Sequence, residues 1–445
     1  MMRRATITAA LVAVLLVFSG IPMAVAGTGR REMTTVRSWY FAEGTTDYGF
    51  EEYICVQNPS PRDAMVRATY MLPESDGAGQ IAGDPFVVPP FSRTTITVGN
   101  QVGASDVSVK IDADEKVICE RSMYWNGRID GHDSIGVTAP YTTWYLAEGC
   151  TDYGFEEYVC IQNPRAGDAT VNITYNTPSG PVERKPLEVP AGSRVTVKVN
   201  DDLPPCDVST RVESDVPVVA ERAMYWDSRR GGHSSIGVSS PSSQWFLAEG
   251  STDWGFDTYI LLQNPGGNDA TVDLRLLGAN GVVEVNDIGL PAGSRYTFNA
   301  RDAVGSTDFS TWVESDEDII CERSMYWNNG TGKAGHDTVG VTGATFNCYL
   351  AEGCTAYGFE TYLLISNPNG EENDVQVTYM TSGGAVPHGG ITMAPYSRET
   401  ILVNEVLPPG DVSMHVAGEL PIVAERAMYW HLRGGGHDSI GLMEN

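Results

Sequence analysis

The chain has 445 residues, 57 acidic and 29 basic side chains, and a formal net charge of −28. An acidic excess of this size repels phosphate groups, so it argues against nucleic acid and anionic membrane surfaces as partners. Its only long apolar stretch lies close to the N-terminus, so we expect no membrane span in the remainder.

The first 26 residues have the features of a secretory signal peptide. Two arginines precede the apolar run from Ala9 to Phe18, and Ala24-Val25-Ala26 is a small-x-small cleavage site. We therefore expect a secreted or cell-surface, extracellular protein, cleaved after Ala26, with an N-terminal linker at residues 27–38. Loss of the two arginines lowers the formal charge by two, to −30.

One block of about a hundred residues then recurs four times. Each copy opens with a first residue, three further residues and Glu-Gly, as in Trp144-Tyr145-Leu146-Ala147-Glu148-Gly149; the first residue is tryptophan in three copies and Cys348 in the last. Each copy closes with Glu-Arg-x-Met-Tyr-Trp and then Gly-His-x-Ser/Thr-Ile/Val-Gly. The pattern predicts four domains, which we call repeat 1 (residues 39–140), repeat 2 (141–241), repeat 3 (242–344) and repeat 4 (345–445).

Within one repeat, short β-branched and aromatic runs alternate with turn-forming clusters. In repeat 2 they predict eight strands, at residues 144–147, 158–162, 170–175, 182–189, 194–199, 208–212, 218–226 and 235–238. Strands at this spacing, with no helical period, are typical of an antiparallel β-sandwich. A β-propeller is disfavoured because its blades need only roughly 40–50 residues. The expected fold is all-β, with four tandem Ig-like antiparallel β-sandwich domains.

The segments between repeats are short. The segment from Val137 to Thr143 contains Pro140 and is too short to be a floppy tether. We therefore expect a semi-rigid rod of domains with contacts at each junction.

The motifs also carry a resemblance. Six motifs together resemble a repeat of exported actinobacterial-type proteins: Trp-Tyr-Leu-Ala-Glu-Gly, Gly-Phe-x-x-Tyr, Asn-Pro, Ser-Arg, Glu-Arg-x-Met-Tyr-Trp and Gly-His-x-Ser-Ile-Gly. The resemblance covers nearly all of residues 39–445. It implies Ig-like sandwiches in a multi-domain, surface-associated protein of unknown function. It implies no catalytic residues.

The eight cysteines do not recur with the repeats. Cys55 and Cys119 both lie in repeat 1, and a disulfide between them is an option in an exported protein. Cys150 with Cys206, and Cys348 with Cys354, are further candidate pairs. No CxxC spacing occurs, so the sequence predicts no zinc site and no other metal site.

Glutamate, arginine and histidine recur at the same positions in every copy and form a candidate shared polar cluster. Its members are Glu43, Arg93, Glu120, Arg121 and His132; Glu148, Arg194, Glu221, Arg222 and His233; Glu249, Arg295, Glu322, Arg323 and His336; and Glu352, Arg398, Glu425, Arg426 and His437. Glu221 and Arg222 alternate along one strand, so one of them must point inward or into an interface. Because buried charges in strands are usually paired, we expect Arg222 to pair with a carboxylate and to stack on an indole. This favours a structural ion-pair network over a ligand site.

Other chemistry remains as alternatives. Glu148 and Glu221 would be the acid and base of a hydrolase, whereas a triad of His132, Asp133 and Ser134 fails because adjacent strand residues face opposite ways.

Glu43, Asp47 and Glu51 would be calcium ligands, although Asp47 next to Gly49 better fits a turn cap. Exposed aromatics would bind saccharides; the candidates are Tyr153, Phe155, Tyr158, Tyr225 and Trp226.

Together these features predict a non-enzymatic exported protein with a structural, adhesive or surface-assembly role and no required cofactor. We expect its partner to be a cell-surface or wall component, or further copies of itself. The alternatives are a multivalent carbohydrate- or cell-wall-binding protein and an exported hydrolase.

Overall fold

The computed structural model describes residues 37–77, 79–328, 330 and 333–445, which belong to one compact unit. The predicted signal peptide, and residues 27–36 of the predicted linker, lie outside the described residues. Among the described helices, none has the length and apolar character needed to cross a membrane.

Short strands account for most of each repeat. Repeat 1 contains β1 (Arg37–Phe41), β2 (Glu51–Asn58), β3 (Ala64–Leu72), β4 (Gly79–Ala82), β5 (Phe86–Val88), β6 (Ser92–Thr97), the one-turn helix α1 (Gly99–Val102), β7 (Ser108–Ala113), β8 (Ile118–Trp125) and β9 (Asp130–Ile135). Repeat 2 contains β10 (Tyr141–Leu146), β11 (Glu156–Asn163), β12 (Ala169–Thr177), β13 (Gly180–Glu183), β14 (Leu187–Val189), β15 (Ser193–Lys198), β16 (Ser209–Trp226) and β17 (Gly231–Ile236).

The same order continues in the second half. Repeat 3 contains β18 (Ser242–Leu247), β19 (Phe256–Asn264), β20 (Ala270–Gly278), β21 (Gly281–Leu290), β22 (Ser294–Asn299), the one-turn helix α2 (Arg301–Val304), β23 (Phe309–Asn328) and β24 (Lys333–Val339). Repeat 4 contains β25 (Thr345–Leu350), β26 (Phe359–Asn367), β27 (Asn373–Thr381), β28 (Gly384–Pro387), β29 (Ile391–Met393), β30 (Ser397–Leu402), β31 (Ser413–Trp430), β32 (Gly435–Ile440) and β33 (Leu442–Glu444). Single 3₁₀ turns occur at Glu74–Asp76, Val199–Asp201 and Val403–Glu405.

Two antiparallel sheets make up repeat 1, and they confirm the all-β class. One sheet has the order β1-β7-β3-β4, with β5 beside β3, and the other has the order β6-β2-β8-β9. Alternate side chains of the opening strand, Trp39 and Phe41, are buried with Ile54 and Val66 in the core. Every strand pairing described lies within a single repeat.

One long strand joins the two sheets in the other repeats. In repeat 2, the first half of β16 pairs with β10 and β12, and its second half pairs with β11 and β17. The predicted strands at 208–212 and 218–226 are therefore one strand, and the strand predicted at 182–189 is two, β13 and β14. Pro217 sits where β16 passes between the sheets, so its missing N–H does not interrupt either ladder.

The predicted Cys55–Cys119 disulfide is wrong. Opposite residues of β2 and β8 are Cys55 with Glu120 and Val56 with Cys119, so the two thiols point to opposite faces of the sheet. All eight cysteines, each within the described residues, are free thiols, which also excludes the pairs Cys150–Cys206 and Cys348–Cys354.

The predicted rod is also wrong, because repeat 4 contacts repeat 1. Arg426 donates a hydrogen bond to Glu120, 306 residues earlier, and the side-chain amide of Gln57 donates to the backbone oxygen of Met414. The equivalent amide of Gln162 donates to the backbone oxygen of Val109 in the preceding repeat, so the contact between the ends of the chain is of the same kind. The four repeats close into a ring, with junctions that we call 1/2, 2/3, 3/4 and 4/1.

The closing strands form the inside of this ring. β9 packs on β17, β17 on β24, β24 on β32, and β32 on β9. Every residue of β9, β17 and β32 is buried, because each strand has its own sheet on one side and a neighbouring repeat on the other. At the end of these strands is a cavity of about 640 Å³ lined by all four repeats, including Ile135, Ile236, Val339 and Ile440. Equivalent contacts that close after four steps define an approximate fourfold axis.

Candidate functional site

One buried arginine crosses each junction. At junction 2/3, Arg222 donates from Nη1 to Oε2 of Glu322 (2.7 Å) in repeat 3, and from Nη2 to Oε2 of Glu148 (3.0 Å) in its own repeat. Arg222 and Glu322 are fully buried. The equivalent pairs at the other junctions are Arg121–Glu221, Arg323–Glu425 and Arg426–Glu120, with shortest N–O distances of 3.0, 2.5 and 2.6 Å.

The same strand glutamate also binds the opening motif of the preceding repeat. Oε2 of Glu221 accepts hydrogen bonds from the backbone N–H groups of Ala42 (2.6 Å) and Glu43 (2.7 Å). The N–H groups of Ala147, Ala248 and Ala351 donate in the same way to Glu322, Glu425 and Glu120. These bonds explain why Ala-Glu-Gly and Glu-Arg recur together, since each motif satisfies the polar groups of the other.

The opening motif requires glycine at its last position, because the neighbouring atoms leave no room for a side chain. A Cβ on Gly44 would lie 2.5 Å from the backbone oxygen of Val107, and one on Gly149 would lie 2.7 Å from both Val208 O and a carboxylate oxygen of Glu157. No side chain fits there without moving the backbone.

A histidine and a tyrosine complete each junction. Nε2 of His233 lies 2.9 Å from the hydroxyl of Tyr326 in the next repeat, and that hydroxyl donates to Glu148. The other three pairs, His132–Tyr225, His336–Tyr429 and His437–Tyr124, have distances of 3.0–3.1 Å. Each histidine ring packs at about 5 Å from the tryptophan of its own closing motif, as His233 does on Trp226.

The residue that follows the histidine of each closing motif contacts an arginine of the preceding repeat. Asp337, Asp438 and Asp133 pair with Arg222, Arg323 and Arg426. At junction 1/2 this position is Ser234, whose hydroxyl lies 3.0 Å from Nδ1 of His132 and accepts from Arg121. Both His132 and Ser234 are buried.

Each arginine of the Ser-Arg motif contacts the repeat that precedes its own. Arg194 donates to the backbone oxygens of Gly44 and Val107 in repeat 1. Arg398 and Arg93 bind the corresponding carbonyls of repeats 3 and 4, and Arg295 pairs with Asp207 in repeat 2.

Burial raises the pKa values of the buried carboxyl groups and the guanidinium groups lower them, whereas both lower the pKa of a buried histidine. Burial is the main cause that raises the pKa of Glu322, and Arg222 only partly opposes it. For Asp337, burial alone would raise the pKa, but Arg222 and His233 together hold it well below the usual range. Burial, and then the nearby Arg121, lowers the pKa of His132 well below its usual value.

The structure divides the predicted polar cluster of each repeat between two junctions. Glu148, Arg222 and His233 lie at junction 2/3, whereas Arg194 and Glu221 of the same repeat lie at junction 1/2. Each junction therefore collects five of the twenty predicted residues. Two features escaped the sequence analysis: the tyrosine hydroxyl of the closing motif, and the Asp or Ser after each histidine.

Several predicted groupings do not form. Glu148 and Glu221, the proposed hydrolase pair, lie at different junctions. The proposed calcium ligands Glu43, Asp47 and Glu51 are not among the described groups of side chains whose atoms lie close enough to share one ion. Glu51 pairs with Arg128, and Asp47 accepts the N–H of Tyr48 in the predicted turn. Arg222 pairs with carboxylates as predicted, but the indole of Trp226 packs on His233 and Tyr326 instead.

The predicted saccharide-binding aromatics differ in exposure. Tyr153 is exposed, Phe155 and Tyr158 are half-buried, and Tyr225 and Trp226 are buried.

An exposed aromatic side chain stands at the tip of the loop after each opening motif. The four are Tyr48, Tyr153, Trp254 and Tyr357, exposed by 72, 82, 69 and 89%. Each has a left-handed backbone with φ between 52° and 57°. The Asp side chain before each of the first three accepts its N–H, and Ala356 stands at that place in repeat 4.

Cavities lie beside these aromatics where two repeats meet. One of about 660 Å³ is lined by Tyr153, Phe155 and Trp226 of repeat 2 and by Lys333 of repeat 3. Another, of about 220 Å³, extends from Tyr48 to Glu43 in repeat 1 and Arg194 in repeat 2. Both need two adjacent repeats to be complete.

Comparison with known proteins gives one family and several distant structures. The family of unknown function DUF5719 matches residues 33–240 and 227–299. A Thermotoga maritima protein, "Thermotoga maritima 1070", is 22% identical over 22% of this chain and 94% of its own, with a TM-score of 0.20. The Anabaena sensory rhodopsin transducer is 35% identical over 19% of this chain and 95% of its own, with a TM-score of 0.18.

A tetra-tandem repeat from the extending region of a large adhesion protein is 12% identical over 87% of this chain and 93% of its own, with a TM-score of 0.11. No curated protein matches.

Replacement of one junction arginine tests the buried network. Arg323→Met should lower the free energy of unfolding by about 3–5 kcal/mol, because it leaves the buried carboxylate of Glu425 without its cation. Chemical denaturation measures the change. The matched control is Arg211→Met, which breaks the partly exposed pair with Glu213 and should cost at most about 1 kcal/mol. Equal losses in the two variants would contradict a junction held by buried charge.

A buried glutamate next to the network predicts how stability depends on pH. Burial raises the pKa of Glu157 from 4.5 to about 8, and Arg222 opposes the rise. A carboxyl group with a raised pKa contributes stability that is fully present below its unfolded pKa and is lost as the pH approaches 8. The equivalent residues Thr258 and Thr361 bond instead to backbone oxygens of their own repeats.

Glu157→Thr should therefore raise the melting temperature at about pH 8 and have much less effect at about pH 5. Thermal melts at both pH values measure the difference, and Glu183→Thr, at an exposed position, is the control. The same change in melting temperature at both pH values would show that Glu157 does not titrate in this range.

Proposed function

The chain belongs to the DUF5719 family of unknown function, and we propose that it is a non-enzymatic, exported adhesive protein that acts as one closed ring. The observation that carries this proposal is the set of four exposed aromatic side chains at equivalent positions. Because equivalent points around a fourfold axis lie at one level along it, Tyr48, Tyr153, Trp254 and Tyr357 form one ring of four exposed points.

The exposure of these aromatics supports a binding role. A non-glycine residue in the left-handed region costs about 1–2 kcal/mol, and an exposed ring gains little from packing in return. The tip is nevertheless aromatic in all four repeats, including repeat 4, where the preceding Asp is replaced by Ala356. A contact with an external partner accounts for both features.

Features of the sequence support export and indicate the kind of surface that the protein binds. The signal-peptide features at residues 1–26 support export, and the net charge of −28 favours an uncharged or cationic surface over an anionic one. A ring that holds four copies of one weak contact suits attachment to a repetitive surface, because linked sites can exceed single-site affinity by roughly 10²–10⁴-fold.

A second candidate function is multivalent carbohydrate binding, and the cleft beside Tyr153 favours it. An exposed aromatic face stands there next to hydrogen-bonding groups from Asp227, Ser228 and Lys333. Sugar rings present apolar faces edged by hydroxyl groups, which suit such a mixture of aromatic and polar side chains.

We assign no catalytic role to the repeated carboxylates. Glu148 and Glu221 bind different arginines at different junctions, and the junction residues are buried against a neighbouring repeat. Their hydrogen bonds are used to hold the repeats together.

Substitution of the four aromatics tests the proposed function. The variant with Ala at Tyr48, Tyr153, Trp254 and Tyr357 should bind purified cell-wall polysaccharide, or whole cells, at least about 100-fold more weakly than the wild type, because all four contacts are lost together. Tyr153→Ala alone should weaken retention only a few-fold. Retention is measured by sedimentation with the insoluble polymer.

Two controls make the result interpretable. Melting temperature and elution volume should be unchanged in the fourfold variant, since these side chains pack against little. Release by soluble sugar would identify the carbohydrate-binding candidate, whereas aromatic-dependent retention on cells that sugar does not reverse would support a protein partner. Undiminished binding by the folded variant would contradict the proposal.

A further inference from the structure

Three junctions bring a histidine and two carboxylates together. The groups are Glu148, His233 and Asp337 at junction 2/3; Glu249, His336 and Asp438 at junction 3/4; and Glu352, His437 and Asp133 at junction 4/1. In each, the ligand atoms lie within 4.8 Å of one another, and the side chains are buried. The two residues of each group that belong to one repeat are completed by an aspartate from the next.

Buried atoms in these groups lack hydrogen-bond partners. At junction 3/4 they are Nδ1 of His336, Oε2 of Glu249 and Oδ2 of Asp438. At junction 2/3, Nδ1 of His233 and Oδ1 of Asp337 lie 3.2 Å apart, so they need a proton or a cation between them. Such buried atoms are costly unless a proton or a cation lies between them. At junction 4/1, Nδ1 of His437 lies 2.9 Å from Nη1 of Arg426, so this nitrogen is occupied.

The charges at these junctions also favour a bound cation. At junction 2/3 the carboxylates of Glu148, Glu322 and Asp337 all contact Arg222, the guanidinium that they share among the described residues. Each carboxylate oxygen has a second lone pair, so an arginine hydrogen bond leaves it able to bind a further cation.

We propose that junctions 2/3 and 3/4 each bind one divalent first-row transition-metal ion through a histidine nitrogen and two carboxylates. One imidazole and two carboxylates suit zinc or a neighbouring ion of that row better than calcium, which prefers oxygen ligands alone. The ion links two repeats, so it is a structural cross-link at the junction. This goes beyond the proposed adhesive function and does not depend on it.

Junction 1/2 is an internal control. Ser234 replaces the aspartate there, and its hydroxyl binds His132 and Arg121 directly. With one carboxylate fewer, this junction binds no ion. At junction 4/1, Arg426 occupies Nδ1 of His437, so the expected stoichiometry is two ions per chain rather than four. Since the ligands are buried, the ions enter when the ring closes and leave slowly.

The test uses the full chain, produced in medium supplemented with Zn²⁺ as the only added transition metal and purified without chelator. Elemental mass spectrometry should give close to two zinc ions per chain. Asp337→Ser copies the residue of junction 1/2 and should reduce the content to one, while Ser234→Asp should raise it towards three. Loss of zinc in strong chelator should lower the melting temperature of the wild type.

A second variant covers failure of the first to fold. His233→Gln removes the nitrogen ligand of the same junction and should also leave one ion; with Co²⁺ in place of Zn²⁺, it should reduce the visible absorption by half. Folded wild-type protein with less than one ion per chain would overturn the proposal. So would a zinc content that neither Asp337→Ser nor His233→Gln changes, since that would place the metal elsewhere.

Discussion

The structure depends on a buried guanidinium–carboxylate bond that crosses from one repeat to the next. An arginine such as Arg222 cannot lose its charge, so its burial requires a partner at the right place. That partner, Glu322, belongs to the following repeat, and it also accepts a backbone N–H of the opening motif. If either repeat packed against a different surface, its arginine or glutamate would be buried without a partner of opposite charge. The bond therefore favours one neighbouring repeat in one orientation. Repeated four times, that geometry closes the chain into a ring.

Ring closure gives the surface its order. The cavities beside Tyr48 and Tyr153 each need residues from two repeats, so they exist only where a junction has formed. The exposed aromatics then acquire fixed spacing around one axis, which a flexible string of domains would not give them. Stability and the proposed multivalent contact therefore have the same origin: the junction that buries arginine also positions the tips.

Much of the fold could be predicted from the sequence, because strand alternation and turn residues are local signals. The strand predictions in repeat 2 failed in two places: β16 passes between the sheets without a turn, and the strand predicted at 182–189 is two strands, β13 and β14. The repeated Glu, Arg and His were found as well, and their burial as paired charges followed from their place on strands. Their partners could not be found, because period-two alternation shows that Glu221 and Arg222 face apart but not which repeat each one meets. The rod was predicted for the same reason: a short connection such as residues 137–143 fixes the next neighbour and carries no information about contact between repeats 4 and 1.

The most direct test of the closed ring is a double-mutant cycle between Arg426→Met and Glu120→Gln, measured by chemical denaturation of the full chain. These residues are 306 positions apart and touch only if repeat 4 meets repeat 1. The ring predicts a coupling free energy of about 1–3 kcal/mol, because the second substitution removes a charge that the first has left unpaired. Additive effects of the two substitutions would mean that the ends of the chain do not meet, and the account would fail.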